Sequence, residues 1–389
     1  MTQATGRGPR PEPGRAIGEP GGRPGVYFDY NASAPLLDVA REAMVEAMGC
    51  TGNASSIHGR GRAARRLLED ARAAVAQSVG AAPQDVVFTS GATEANALAC
   101  AGRPARRVLA SAIEHDSVRA VAGPRRSIPV RPDGTLDLVR LTALLEEDPR
   151  PELVAIMLAN NETGVIQPVV EAAALVRAAG ALVHCDAVQG WRRMPFTLDS
   201  LGVDSLSLSA HKAGGPKGAG ALIVRDGILR QALLRGGGQE RGWRAGTENV
   251  AALAGFGAVA ATQPPASTAL RGTRDVLEDA VCLAVPETHV IARQSDRLPN
   301  TSMLALPGRD AEALVIRLDL EGIAVSAGSA CSSGKVGPSH VLAAMNLAPE
   351  LASGAIRVSF GPEATRSDVD AFVSAWSLAA AARGRPARS

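Results

Sequence analysis

From Val26 onward the chain alternates short, apolar, β-rich runs with longer helical patterns, and this alternation limits its fold more than any other feature. The runs fall at residues 86–89, 108–110, 153–158, 182–185, 206–208 and 221–224, with helical periodicity at 60–79, 136–147 and 169–179. Strands apolar on both faces and separated by helices specify a mainly parallel α/β sheet covered on both sides. In such a sheet ligands bind just beyond the carboxyl ends of the strands, so the residues that follow each run are the ones to read for chemistry.

A proline-containing break at 263–267 follows a helical pattern at 247–261. Beyond it the order becomes helix, weak strand (302–305), helix, strand (323–325), loop, helix, strand (355–359), helix. The expected division is a large domain over 26–263, whose first residues pack with the other unit, and a smaller α+β domain over 264–384. Residues 1–25, rich in Gly, Pro and Arg, are expected to form a disordered tail.

Charge and cysteine usage exclude several function classes. The chain has 41 basic and 39 acidic residues. The tail alone carries four Arg and two Glu, so the body is formally neutral and lacks the basic face that nucleic acids require. No apolar run approaches the ~20 residues that span a membrane, and the opening has no apolar core of a secretory signal. Five cysteines, scattered and never in CxxC spacing, suit reduced thiols in a cytoplasmic protein better than a disulfide framework or a zinc site.

Three strand ends carry complementary chemistry. After 86–89 comes Ser90-Gly91-Ala92-Thr93-Glu94 opening a helix, where free backbone N–H groups, the helix dipole and the Thr93 hydroxyl suit a phosphate. After 182–185 comes Asp186, then Gln189. A carboxylate closing a buried strand is costly without a cationic partner, and a protonated pyridine nitrogen is one, as pyridoxal chemistry requires. After 206–208 comes Ser209-Ala210-His211-Lys212, and a lysine at that edge can be desolvated and prepared for Schiff-base formation. Each has an ordinary structural reading alone, as N-cap, turn residue or solvated lysine. Their succession at neighbouring strand ends is what points to pyridoxal 5'-phosphate.

Those segments, together with Tyr27 to Ala32, SGATEAN (90–96), NNETG (160–164), HCDAVQ (184–189), SAHK (209–212), GGGQERGWRAGTEN (236–249) and SAGSACSSG (326–334), resemble the cysteine desulfurases, fold-type I pyridoxal-phosphate enzymes of the class V aminotransferase group. The resemblance covers all but roughly the first 25 residues. It implies a seven-stranded, mainly parallel sheet in the large domain, with Lys212 covalently holding the cofactor, Asp186 on its ring nitrogen and Gln189 on its phenolic oxygen. Ala92, Thr93, Ser209 and His211 would bind the phosphate, joined by Thr247 from the other subunit of a homodimer. His115 would stack on the ring as a proton shuttle. Asn161 would contact cofactor and substrate, and with Arg357 hold the substrate carboxylate.

Cys331 is the residue that would distinguish desulfuration from transamination. Its run of small neighbours reads as a mobile loop, from which the thiolate would take sulfur from L-cysteine, leave L-alanine, and pass the sulfur to an acceptor in iron–sulfur assembly or tRNA thiolation. No resident metal is implied, beyond a transient contact of Cys331 with an iron–sulfur cluster. Selenocysteine lyase and other class V activities are the alternatives, and a regulatory subunit with a degenerate site is a third reading that the intact Lys212, Asp186, His115, Cys331 and Arg357 oppose. Cys50, Cys100, Cys185 and Cys282 read as buried apolar residues. Arg235 and Trp243 depart from the family pattern beside the intersubunit segment, and the short end after the last helix departs from relatives that dock a scaffold protein through a longer tail.

Overall fold

A computed structural model describes residues 25–122, 127–147, 150–328 and 339–381. Cys331 and nearly all of the expected tail lie outside the described residues. The described chain opens with β1 (Val26–Tyr27). Seven strands then build one sheet: β2 (Val86–Thr89), β3 (Val108–Ser111), β4 (Ser127–Ile128), β5 (Leu153–Met157), β6 (Leu182–Asp186), β7 (Ser205–Ser209) and β8 (Gly220–Val224). Their order is β2-β8-β7-β6-β5-β3-β4. Every pairing is parallel except those of β8, which is antiparallel to both β2 and β7.

The exception has a simple cause. Only residues 210–219 join β7 to β8, too few for the crossover of a dozen or more residues that a parallel return needs. The chain therefore folds straight back, and the turn carrying Lys212 stays at the carboxyl edge of the sheet. That edge also holds the ends of β2, β3, β5 and β6.

Alternate strand residues feed two cores, as a doubly covered sheet requires. Leu109, Val154, Ile156, Val183 and Leu206 join the larger core, with residues of the helices Gly59–Ser78 and Val250–Ala260. Val108, Ala110, Leu153 and Ala155 pack on the other face. The expected strands are present, mostly to within a residue; the two-residue β4 is too short to leave a periodic signal.

The C-terminal half contains β9 (His289–Ile291), β10 (Thr301–Ala305), β11 (Ile323–Ala324), β12 (Ser326–Ala327) and β13 (Ala355–Ser359). Four of these form an antiparallel sheet in the order β12-β13-β10-β9. Phe28, Phe360, Phe372 and Trp376 lie in the core beside it. β1 pairs in parallel with β11, and the Asn31 amide then bonds the Ser359 hydroxyl at 3.0 Å. Residues 26–34 thus bridge the small sheet and the edge of the large one. Among the described residues no helix is long and apolar enough to cross a membrane.

Candidate active site

A cavity of about 450 Å³ lies at the carboxyl edge of the large sheet. Nine of the residues expected from sequence line it: Ala92, Thr93, His115, Asn161, Asp186, Gln189, Ser209, His211 and Lys212. Each arrives by strand-end logic, His115 beyond β3, Asn161 beyond β5, Asp186 as the last residue of β6, and Ser209 to Lys212 at the end of β7.

One end of the cavity suits an anion. The helix Ala92–Cys100 starts there with Gly91 as its N-cap residue, no side chain capping it, so its first N–H groups remain available. Gly220 of β8 passes directly behind: a Cβ there would meet Gly91 Cα at 2.6 Å. His211 shares this end, its imidazole pushed down to about 4 by burial and by the cations Lys212 and Lys217. It is therefore a neutral hydrogen-bonding group near pH 7. Lys217 also lines the cavity. Sequence reading passed it over, because its glycine-rich run lacks phosphate-loop spacing.

The other end holds a carboxylate. Asp186 is 7% exposed and accepts the Val188 N–H at Oδ1 (3.1 Å) and the Asn96 side-chain amide at Oδ2 (2.8 Å). Close by, Glu114 is fully buried. Burial, and then the neighbouring Asp186 charge, hold its carboxyl well above the usual carboxylate range. Its Oε1 accepts the Met157 N–H at 2.7 Å. Of the two neighbouring buried carboxyls, Glu114 is thus the one whose neutral form is favoured.

Lys212 stands between the ends. Its Nζ donates to the carbonyls of Asn31 (2.7 Å) and Ala32 (2.9 Å), two acceptors that the sequence reading did not identify. Gln189 Nε2 also donates to Asn31 O, at 3.1 Å. The Arg193 guanidinium donates to Gln189 Oε1 and to Lys212 O, and burial together with Arg357 pushes it down to about 9. His115 Nδ1 accepts the Ser117 N–H at 3.1 Å, so the neutral ring carries its proton on Nε2.

Two expected residues lie away from this cavity. Arg357, mid-strand in β13 and 1% exposed, pairs with Asp29 Oδ1 at 2.7 Å and donates to the Asn161 carbonyl at 3.0 Å. Its Nε is buried without a partner, a free donor directly behind a cavity-lining residue. Thr247 is exposed. Its segment is fixed by Glu240, whose carboxylate meets Arg72 through two 2.7 Å bonds and accepts the Phe88 N–H at 2.8 Å. Glu240 (φ 45°) and Arg241 (φ 55°) hold left-handed conformations, costly for residues with a Cβ and maintained only by surrounding contacts. Trp243 packs against the Leu222 and Val224 core, and Arg235 is exposed.

The remaining cysteines divide. Cys185 and Cys100 are buried, and burial pushes the Cys185 thiol far up and that of Cys100 to about 11, so neither is a ready nucleophile. Cys50 and Cys282 are only half-buried, a correction to their expected burial. Cys50 sits past the end of the helix Asp38–Met48, and Cys282, in the helix Ser267–Ala284, packs at the edge of the core that contains Leu277 and Val281.

The donor set fits pyridoxal phosphate: a helix start suited to an anion, a lysine, an imidazole and a buried carboxylate all line one cavity. Comparison with known proteins agrees. The aminotransferase class-V family matches residues 26–372. A cysteine desulfurase of Cereibacter sphaeroides is 44% identical over 361 residues, covering 89% of this chain and 93% of that one. The X-ray structure of a NifS-like protein from Rickettsia africae superposes with a TM-score of 0.84 at 34% identity, over 91% of this chain and 99% of that one. A structure described as SspA in complex with cysteine gives 0.75 at 28%, over 87% and 100%. The chain belongs to the aminotransferase class-V family of pyridoxal-phosphate enzymes.

Proposed function

We propose that this protein is a cysteine desulfurase that converts L-cysteine to L-alanine and collects the sulfur as a persulfide on Cys331. The observation that carries the reading is the convergence of Lys212, Asp186, His115 and an anion cradle on one cavity at one sheet edge. The pyridoxal ring, when bound, supplies the electron sink for bond cleavage at the substrate carbons.

This chain's own residues do the rest. Lys212 Nζ would hold the cofactor, and the Asn31 and Ala32 carbonyls orient that amine. Asp186 would keep the ring nitrogen protonated, Gln189 would bond the phenolic oxygen, and Ala92, Thr93, Ser209 and His211 would bind the phosphate. Arg357 and Asn161 receive the substrate carboxylate, which satisfies the orphaned Nε of Arg357. His115 exchanges protons from its cavity-facing Nε2. The Cys331 thiolate attacks the substrate sulfur: an S–S bond forms, the C–S bond breaks, and the carbon keeps the electron pair and takes a proton to become alanine.

The finer proposals follow the same frame. The chain works in the cytoplasm as a homodimer, with Thr247 completing the phosphate site of the partner subunit. The large domain spans 26–263, with its first residues packed on the small one, which spans 264–384. The sulfur acceptor is a protein of iron–sulfur assembly or tRNA thiolation. Purified protein with cofactor is expected to be yellow and to release alanine from L-cysteine. A colourless protein that added cofactor cannot restore overturns the reading.

A further inference from the structure

Behind the cavity lies a polar chain that the reaction as described does not use. The Asn96 amide, completely buried within the helix Ala92–Cys100, spends both N–H bonds, one on Asp186 Oδ2 (2.8 Å) and one on Ser117 Oγ (2.9 Å). Ser117 Oγ lies 2.8 Å from His115 Nδ1. Asn96 Oδ1 lies 2.9 Å from Nε2 of His184, an imidazole with no solvent exposure whose Nδ1 meets Ser205 Oγ at 2.9 Å.

The Asp186 carboxylate only accepts, so the Asn96 NH₂ faces it and Asn96 Oδ1 faces His184 Nε2, which Ser207 Oγ also approaches at 3.2 Å. Burial leaves His184 uncharged near neutral pH. Asn96 Oδ1 accepts only, so His184 Nε2 carries the hydrogen and Nδ1 accepts from the Ser205 hydroxyl. With its oxygen on His184 and its NH₂ shared between Asp186 and Ser117, the Asn96 amide has a partner at every polar atom. Reversing it would set its oxygen against the Asp186 carboxylate. A buried network satisfied at every member is rigid, and one broken at a single member is costly.

We propose that Asn96, held by Asp186, Ser117 and His184 together, is a positioning residue that aims the Asp186 carboxylate at the cofactor's ring nitrogen. The inference rests on the pyridoxal-phosphate reading and deepens it. Asp186 is gripped at both oxygens, by a backbone N–H from its own turn and by a side chain from a different helix, so its plane is fixed before anything binds. The same amide, through Ser117, ties the orientation of the His115 ring to that carboxylate. One buried side chain therefore sets the geometry of both groups that face the ring.

The test separates aiming from mere folding by using two ligands. One is pyridoxal phosphate, and the other is its carbocyclic analogue in which C–H replaces the ring nitrogen. Asn96→Ala removes a hydrogen bond to a charged group, an interaction strong enough to weaken pyridoxal phosphate binding about tenfold or more. Binding of the analogue, which has no ring nitrogen for Asp186 to meet, should change less than about twofold. His184→Leu should reproduce this selective loss, and His184→Gln, which restores an N–H near the Nε2 position, should recover most of it. The His184 pair carries the test should Asn96→Ala fail to fold, as judged by circular dichroism. Equal weakening of both ligands, or of neither, overturns the proposal. A wild type that binds the analogue but not pyridoxal phosphate, or neither, overturns the cofactor reading itself.

Discussion

The two sheets present charge in opposite ways. Asp186 ends a strand of the large parallel sheet, where the carboxyl edge opens into the cavity. Arg357 lies in the middle of β13 in the small antiparallel sheet, opposite Met303 on one side and Ser326 on the other, and it is almost completely buried. The first charge is fixed by a complete set of hydrogen bonds. The second has a carboxylate partner in Asp29 and one nitrogen still unpaired. The carboxylate is thus held at both oxygens, whereas the guanidinium is left one partner short. In the proposed reaction the substrate carboxylate would complete it.

Variants that act on one side and spare the other probe this contrast. The largest effect is expected for Lys212→Ala, which should remove the cofactor's visible band and lower alanine release by roughly a thousandfold or more. Next is Cys331→Ser, which should stay yellow while turnover of L-cysteine falls by roughly a hundredfold or more; full turnover in a yellow variant would shift the assignment to a lyase that needs no thiol. Arg357→Ala should lower kcat/KM about a hundredfold, mainly through KM, with the visible band unchanged. Arg357→Lys should recover only part of this, since it keeps the charge but loses the fork. Loss of the visible band in Arg357→Ala would show that the two sides are not separable.

The smallest effect concerns stability. Glu114 has a carboxyl raised from an ordinary value of 4.5, so the folded state retains a proton that the unfolded chain gives up. The stabilisation that this proton represents is complete below about pH 4.5 and is lost as pH rises toward the folded-state value. Glu114→Gln, which copies the protonated form, should gain in Tm relative to wild type at pH 8 and show almost no gain at pH 4.5. An equal difference at both values would show that Glu114 is charged in the folded protein.

The same contrast explains what the sequence reveals. Lys212, Asp186 and Thr93 are legible because each follows an apolar run, and a polar residue at a strand end has few reasons to be there. Arg357 in Ala355-Ile356-Arg357-Val358 has no such position, and only the family resemblance marks it. Asn96 and His184 are hidden for a related reason. A polar residue inside a helical or strand pattern reads as a surface position until tertiary packing buries it, and their partners are 90 and 21 residues away. Asn31 and Ala32 act through backbone carbonyls, which no side-chain pattern encodes. Arg193 becomes informative only once its guanidinium is seen against Gln189 and Lys212.

The central claim is that Lys212 holds the cofactor and Cys331 takes the sulfur. Peptide mass analysis after brief exposure of the cofactor-loaded enzyme to L-cysteine tests it most directly. One added sulfur atom is expected on the peptide containing Cys331, matched by alanine release, and none is expected in Lys212→Ala. Normal alanine release with the added sulfur on Cys50, Cys100, Cys185 or Cys282, or on no cysteine, would contradict the account.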